Sequence, residues 1–264
     1  MEDVLKISFL ITHYNRPYDL AQCINGIRKI PLTNYEIVVS DDGSSPQNIK
    51  TIQSYEIDQL VLATVNQGLA ANINKGLKVC KGQYIIYCQE DFMISPEISN
   101  VMEECYELLE NNSLDLIRFT SNFYFKETIP LSSSISRIPK FSWNNFFYNF
   151  YQYSDHPFII KSGFHDQYGY YQEETSGRYG ETEYAIRILK SNAKIGITNR
   201  FMAFSIEGSK SVLANESDTT RRNNSKPLNK SLIKMVRALR LYIECLLYQK
   251  SNRGLKTYRN YREK

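Results

Sequence analysis

Four short apolar, β-rich runs divide the first ninety residues, and each stops at a cluster of polar side chains. They are VLKISFLIT (4–12), YEIVVS (35–40), QLVLATV (59–65) and YIIYC (84–88). Between them, residues 18–29 carry Leu20, Ile24 and Ile27 at helical spacing, and residues 69–80 read as a second helix. Apolar runs without alternation are strands buried on both faces, and strands alternating with helices make a parallel, doubly wound sheet. Right-handed crossovers open every C-terminal strand end on one edge, the edge where such sheets bind ligands. Three polar loops therefore meet there: residues 12–16, 41–45 and 89–91. Gln89 and Asp91 stand two apart and leave a strand on the same face. Their oxygens suit a hard divalent ion, magnesium or manganese, and such an ion suits a diphosphate. One such strand end alone reads sooner as an acidic turn after a core strand, but three in register are poorly explained as solvated turns.

Four stretches carry a family resemblance: T-H-Y-N-R-P (12–17), E-I-V-V-S-D-D-G-S-S (36–45), N-Q-G-L-A-A-N-I-N-K-G (66–76) and G-Q-Y-I-I-Y-C-Q-E-D (82–91). The chain resembles family-2 glycosyltransferases with the GT-A fold, closely over 5–95 and in patches to about 208. The resemblance implies that Thr12, Tyr14, Asp41 and Asp42 lie near a nucleoside. It implies that the loop ending in Asp91 holds a metal ion and a diphosphate. Arg16, Asn66, Gly68, Asn74, Gln89 and Glu90 join them as donor-site candidates. The family's Asp-x-Asp has Gln89 at its first position here, which supplies an oxygen but no charge. Either Asp91 holds the ion with help from Glu90, or metal dependence is weak.

Further along, residues 97–110 form an amphipathic helix, 114–120 a strand and 126–140 a loop. FSWNNFFYNFYQY (141–153) places eight aromatics in thirteen positions. It reads either as a sugar-binding surface, with Trp143 the chief candidate, or as a packed hairpin. SDHPFIIKS (154–162) brings His156, for a phosphate, an acceptor hydroxyl or a structural hydrogen bond. YGETEYAIRI (179–188) opens a helix with Glu181 and Glu183, both favoured there by the helix dipole. Matching Glu183 and Arg187 to the family's acidic motif puts Glu181 at the position of the catalytic base, with Gly180 in place of a Glu. That match leaves Glu183 on the acceptor side or in a structural role. Residues 201–212 read as a strand and turn, with Ser205 where related enzymes often carry a metal-binding His.

Residues 215–227 read as a linker. Residues 228–249 are helical, with Leu228, Leu232, Met235, Leu239, Ile243 and Leu246 on one face and Lys230, Lys234 and Arg237 on another. This is the pattern of an interfacial helix or of a helix docked on the domain. From Lys210 onward there are 14 Lys/Arg against 4 Asp/Glu; before it, 18 against 24. An acidic body with a basic tail points to a polyanionic surface, membrane or nucleic acid, as the tail's partner, or else to a solvated basic appendage. The expected organisation is a GT-A-like domain over 1–212, with donor and acceptor halves meeting at 95, and a helical appendage over 213–264. Five scattered cysteines without a C-x-x-C pair fit reduced thiols in a cytoplasmic protein, free or peripheral on the membrane's inner face. No signal peptide or membrane span is expected.

The expected activity is inverting transfer of a sugar from a nucleotide-diphosphate sugar to a glycan or lipid-linked glycan, as in bacterial surface polysaccharide assembly. A sugar-phosphate nucleotidyltransferase and a non-catalytic sugar-binding subunit are the rivals. The first lacks its Gly- and Arg-rich loop after strand one; Gln89 allows the second. A dehydrogenase is disfavoured because no G-x-G-x-x-G follows a strand. No nucleic-acid partner is expected.

Overall fold

The computed structural model describes residues 6–175, 177–206 and 227–248. The four apolar runs form adjacent parallel strands: β1 (Ile7–His13), β2 (Tyr35–Asp41), β3 (Gln59–Leu62) and β4 (Tyr84–Gln89), in the order β3-β2-β1-β4. Ile7, Phe9 and Ile11 of β1 and Ile86 and Cys88 of β4 enter one core, with Leu20 and Ile24 of α1 (Pro17–Arg28). Leu10, Ile85 and Tyr87 point the other way, towards Ala70 and Ile73 of α3 (Leu69–Leu77). Burial on both faces is what makes these strands unbroken apolar runs. The chain adds β2 and β3 on one side of β1 and returns to place β4 on the other. The switch point therefore lies outside the ends of β1 and β4, between Thr12 and Gln89, which pair in register.

A helix not foreseen in the sequence, α2 (Pro46–Ile52), fills the β2–β3 crossover, with the Ser45 side chain accepting from Asn48 N at 3.4 Å. β3 stops at Leu62, short of the predicted run, because its ladder partner β2 ends at Asp41.

Beyond β4 come β5 (Phe92–Ile94), a 3-10 turn and α4 (Met102–Glu110), then β6 (Leu116–Arg118), β7 (Ile129–Pro130) and β8 (Ile135–Arg137). They are followed by β9 (Phe158–Lys161), α5 (Phe164–Tyr168), α6 (Gly177–Lys190), β10 (Ile195–Thr198), β11 (Ala203–Ser205) and α7 (Pro227–Leu246). The sheet continues β4-β9-β6-β10-β8-β7, and β11 pairs separately with β5. The stretch expected as a loop (126–140) contains the β7–β8 hairpin, and 141–153 forms turns and one 3-10 turn rather than a hairpin.

β9 lies antiparallel between β4 and β6, so the sheet is parallel in its first half and mixed in its second. That reversal matters for the site. A strand running against β4 begins where β4 ends, so residues 154–156 arrive beside Gln89.

α7 docks on the domain through one face: Leu241 packs with Phe150 and Ile186, and Lys190 Nζ donates to Cys245 O at 3.1 Å. The domain boundary near 212, the linker up to 226 and the tail from 249 lie outside the described residues. No helix among the described residues is long and apolar enough to cross a membrane.

Candidate active site

The first wall of the crevice is built from the ends of β1 and β2. His13 Nδ1 donates to Asp41 Oδ2 at 2.7 Å, and its Nε2 accepts from Arg16 N at 3.1 Å. A backbone N–H aimed at Nε2 requires a lone pair there, which puts the ring proton on Nδ1. Asp41 Oδ1 also accepts from Gly43 N at 3.0 Å and Ser44 N at 2.9 Å. Burial pushes the Asp41 carboxyl up, but hydrogen bonds from His13 and Ser44 outweigh it and hold the group below its ordinary value. Fully buried and ringed by donors, Asp41 is a post for the loop. Asn15 joins the two loops: its N–H donates to Ser44 Oγ at 2.7 Å and its Oδ1 accepts from Ser45 N at 2.8 Å. Thr12 is buried, with Oγ1 3.2 Å from the Tyr87 hydroxyl.

Asp42 extends this wall by accepting from Gln67 N at 2.8 Å and Gly68 N at 2.9 Å. Burial outweighs those bonds and leaves its carboxyl above the ordinary range. Gly68, at φ +94°, starts α3, and Asn66 lies half-buried just before it. Gly43 permits the close approach of the two loops. It sits at φ +75°, and a Cβ there would lie 2.5 Å from the Val65 carbonyl carbon. Gly43→Ala should therefore cost about 2 kcal/mol or more of stability, seen as a lower urea midpoint; an unchanged midpoint would show that the loop can yield. Asn74 takes a different place from the one expected. Its Nδ2 donates to Tyr171 O and Glu173 Oε1, both at 2.9 Å, and its Oδ1 accepts from Tyr171 N at 3.0 Å. Its amide anchors the segment leading into α6 through these three bonds.

The second wall is the end of β4. Arg16 Nη1 donates to Asp91 Oδ2 at 3.2 Å, and its Nε stands 3.9 Å from Glu90 Oε1. Asp91 Oδ1 is buried without a hydrogen-bond partner. Burial and the Asp91 charge push Glu90 up to about 8, against the pull of Arg16 and the backbone N–H groups of Glu90 and Tyr14. Burial raises Asp91 too, with Arg16 opposing it. Tyr14 is half-buried and reaches this wall through its backbone. Among the described residues no three His, Cys, Asp or Glu side chains cluster as a closed metal site. One unpartnered carboxylate oxygen still fits an ion that takes most of its ligands from a diphosphate and water, as magnesium does.

The third wall comes from the start of β9 and from α6. Gln89 Nε2 donates to Asp155 O at 3.4 Å, and Asp155 N donates to Glu181 Oε1 at 3.3 Å. Tyr153 OH donates to Asp155 Oδ1 at 3.0 Å. Burial and the Glu181 charge drive the Asp155 carboxyl well above its ordinary value. Burial also raises Glu181, but the Asp155 amide and the Arg118 guanidinium pull it back. Both carboxyls are raised, Asp155 the more strongly, and only Glu181 has a guanidinium pulling it back, so Glu181 is the one that ionises first. Arg118 is buried, donating to Tyr151 O at 2.6 Å and Ser154 Oγ at 2.8 Å, and burial lowers it to about 10. His156 packs against Phe92 with its Nδ1 buried and unpartnered; burial and Arg118 lower it to about 4, so the ring is neutral.

Asp155 and Arg118 were missed in the sequence. The available signal for Asp155 was an acid three residues before a buried strand, but only an antiparallel β9 brings it to this edge. Two predicted residues do not join the crevice. Glu183 is buried and pairs with Arg187 Nη2 at 2.7 Å and Nε at 3.2 Å, and it accepts from Tyr248 OH at 2.5 Å. It ties α6 to the end of α7. Trp143 stacks on Phe146, which stacks on Tyr242 of α7. Gly180 is the position where the related motif has Glu. A Cβ there would lie 2.6 Å from Thr175 Oγ1, too close for any side chain while Thr175 holds its place.

The sequence profile of Glycosyl transferase family 2 matches residues 8–170, more than half of the chain. The chain belongs to glycosyl transferase family 2. The match takes in the first two walls and residues 154–156 of the third, and stops before α6. Within the family, the chain is 28% identical to glycosyltransferase GlyG of Streptococcus pneumoniae over 46% of this chain and 44% of that protein. It is 28% identical to the poly(ribitol-phosphate) beta-glucosyltransferase of Bacillus spizizenii over 48% of this chain and 22% of that protein. The matched stretch spans less than half the length of these curated relatives. Among solved structures, S. aureus TarS 1-349 in complex with UDP-GlcNAc superposes with a TM-score of 0.62. It covers 93% of this chain and 67% of that one at 15% identity. That likeness shows the GT-A-like fold.

Proposed function

We propose that this glycosyl transferase family 2 chain moves a sugar from a nucleotide-diphosphate sugar to a glycan hydroxyl, with inversion at the anomeric carbon. One observation carries the reading: Gln89 touches Asp155, so the Arg16–Asp91 wall and the Asp155–Glu181 pair face one crevice. A diphosphate belongs against the first and a hydroxyl against the second. The nucleoside lies along the 12–16, 42–45 and 66–68 loops. A uridine diphosphate sugar is the first donor to test, given the TarS complex. The acceptor is a bacterial surface glycan, free or lipid-linked, a reading that the poly(ribitol-phosphate) beta-glucosyltransferase relative supports.

Glu181 Oε takes the proton of the acceptor hydroxyl as its oxygen bonds to the anomeric carbon. The bond from that carbon to the diphosphate oxygen breaks, and the diphosphate leaves with the electron pair. Asp91 and the Gln89 amide oxygen are the groups that would hold a divalent ion, which would supply charge neutralisation for the leaving diphosphate. Arg16 holds the Asp91 carboxylate in place. Asp155 keeps its proton and spares Glu181 a second negative neighbour.

The test is turnover of a panel of nucleotide sugars with soluble glycan acceptors, with the product anomer read by NMR. A retained anomer or no turnover with any pairing would refute the reading. Asp42→Ala should weaken nucleotide binding with or without metal, because it frees the Gln67–Gly68 loop; unchanged affinity would move the nucleoside elsewhere. Asp155→Asn should leave the acid limb of the pH–rate profile in place. The sign follows from the directions: Glu181 ionises while the more strongly raised Asp155 is still neutral, and a neutral amide takes the place of that neutral carboxyl. A limb that moves to lower pH would show that Asp155 carries charge beside Glu181 in that range.

A further inference from the structure

We propose that the outer face of α7 and the Trp143 patch form one docking surface for an anionic lipid bilayer. α7 has two apolar sides. Ala238 and Leu241 are buried against the domain. Leu232, Val236, Leu239, Ile243 and Leu246 recur at spacings of three and four, so they form one stripe along the opposite side. All five are exposed, Leu239 at 49% and Ile243 at 56%. The inner side is already satisfied, so folding does not account for the outer stripe.

The stripe has unequal borders. Tyr242 lies three residues after Leu239 and four before Leu246, at one border. Its ring meets Phe141 and Phe146, and Phe146 stacks on Trp143, which is 78% exposed. Exposed aliphatic and aromatic side chains therefore run together. Arg237 and Arg240 directly follow Val236 and Leu239 and mark the other border; Arg240 is paired with Glu244 at 2.7 Å. An aliphatic stripe edged by an exposed Trp and by cations is the composition of a helix lying in a bilayer interface.

Charge selects the occupant. The segment from Lys210 onward carries 14 Lys/Arg against 4 Asp/Glu. A second copy would bring two such cationic segments together, whereas an anionic leaflet complements one.

Trp143 is the sole tryptophan of the chain, so its emission reports this patch directly. The full chain is mixed with phosphatidylcholine vesicles, or with phosphatidylcholine and phosphatidylglycerol at roughly 7:3. The proposal expects a blue shift and protection from acrylamide with the anionic vesicles only. Partitioning should fall on the order of tenfold as salt rises from ~0.1 to ~0.5 M. The double variant Leu239→Asp, Ile243→Asp should lose the shift while keeping turnover with a soluble acceptor. The wild-type spectrum tests the proposal without any substitution. No shift with anionic vesicles overturns it. So does equal binding to neutral vesicles, a response to soluble sugar alone, or Trp143 protection that tracks protein concentration and self-association.

Discussion

Glu181→Gln is expected to lower sugar transfer by ~10²–10⁴-fold while leaving the fold and donor affinity within a few-fold of wild type. A sugar hydroxyl is a weak nucleophile at neutral pH, so its proton must leave as the new bond forms. Glu181 is placed for this by the Asp155 amide at 3.3 Å, and that amide and the Arg118 guanidinium oppose the rise that burial imposes on its carboxyl. Gln preserves size and can still accept that amide hydrogen bond, but it cannot take the proton. The loss should therefore appear in kcat. Glu183→Gln is a sharp contrast. It removes the charge opposing a partly buried Arg187 and should cost stability, because breaking a buried pair leaves a charge uncompensated. A stable, inactive Glu183→Gln beside an active Glu181→Gln would move the base by two residues. If both retain near-normal transfer, Glu173, Glu174 and Asp166 are the next acids to test.

Asp91→Asn is expected to lower transfer roughly a hundredfold or more, far beyond the effect of Gln89→Asn. Only Asp91 has a charge to lose. Its Oδ2 is engaged by Arg16, and its Oδ1 is the buried acceptor without a partner. Asn puts either an amide nitrogen or a weaker oxygen at that point, and it leaves the Arg16 charge without its nearest counter-ion. Turnover measured against metal concentration separates the two effects. A loss that excess manganese partly restores places the ion at Asp91. Full metal-dependent turnover in Asp91→Asn would place it elsewhere. If Gln89→Asp tightens metal binding, the amide in the wild type tunes the site.

Much of the donor half was legible because local pattern and global packing agree there. The apolar runs of β1, β2 and β4 are buried on both faces, and their polar ends converge as the parallel topology requires. The roles within those loops were less legible. Asp41 and Asp42 look alike in sequence, yet one is ringed by His13, Gly43 and Ser44 and the other clasps the Gln67–Gly68 turn. Asn74 reads as a binding amide but holds Tyr171, 97 residues away. The acceptor side was least legible. Asp155 reaches the crevice only because β9 runs against β4, and strand direction has no local signature. Trp143 has the composition of a sugar platform, but the Phe146 it stacks on is in turn held by Tyr242, from a helix about a hundred positions further on. Spacing alone could not decide between packing and exposure for α7; the structure gives it one face for each.

The central claim is that the crevice between the β1, β2 and β4 ends binds a nucleoside diphosphate through two separable contributions, loop and acid. Isothermal titration of uridine diphosphate into the full chain tests it directly, with and without manganese, for wild type and Asp91→Asn. The account predicts one site in the wild type, tighter with manganese, and an Asp91→Asn site that keeps the metal-free affinity but loses the manganese gain. Absence of binding by uridine, guanosine and thymidine diphosphates alike, or a manganese gain undiminished in Asp91→Asn, would contradict it.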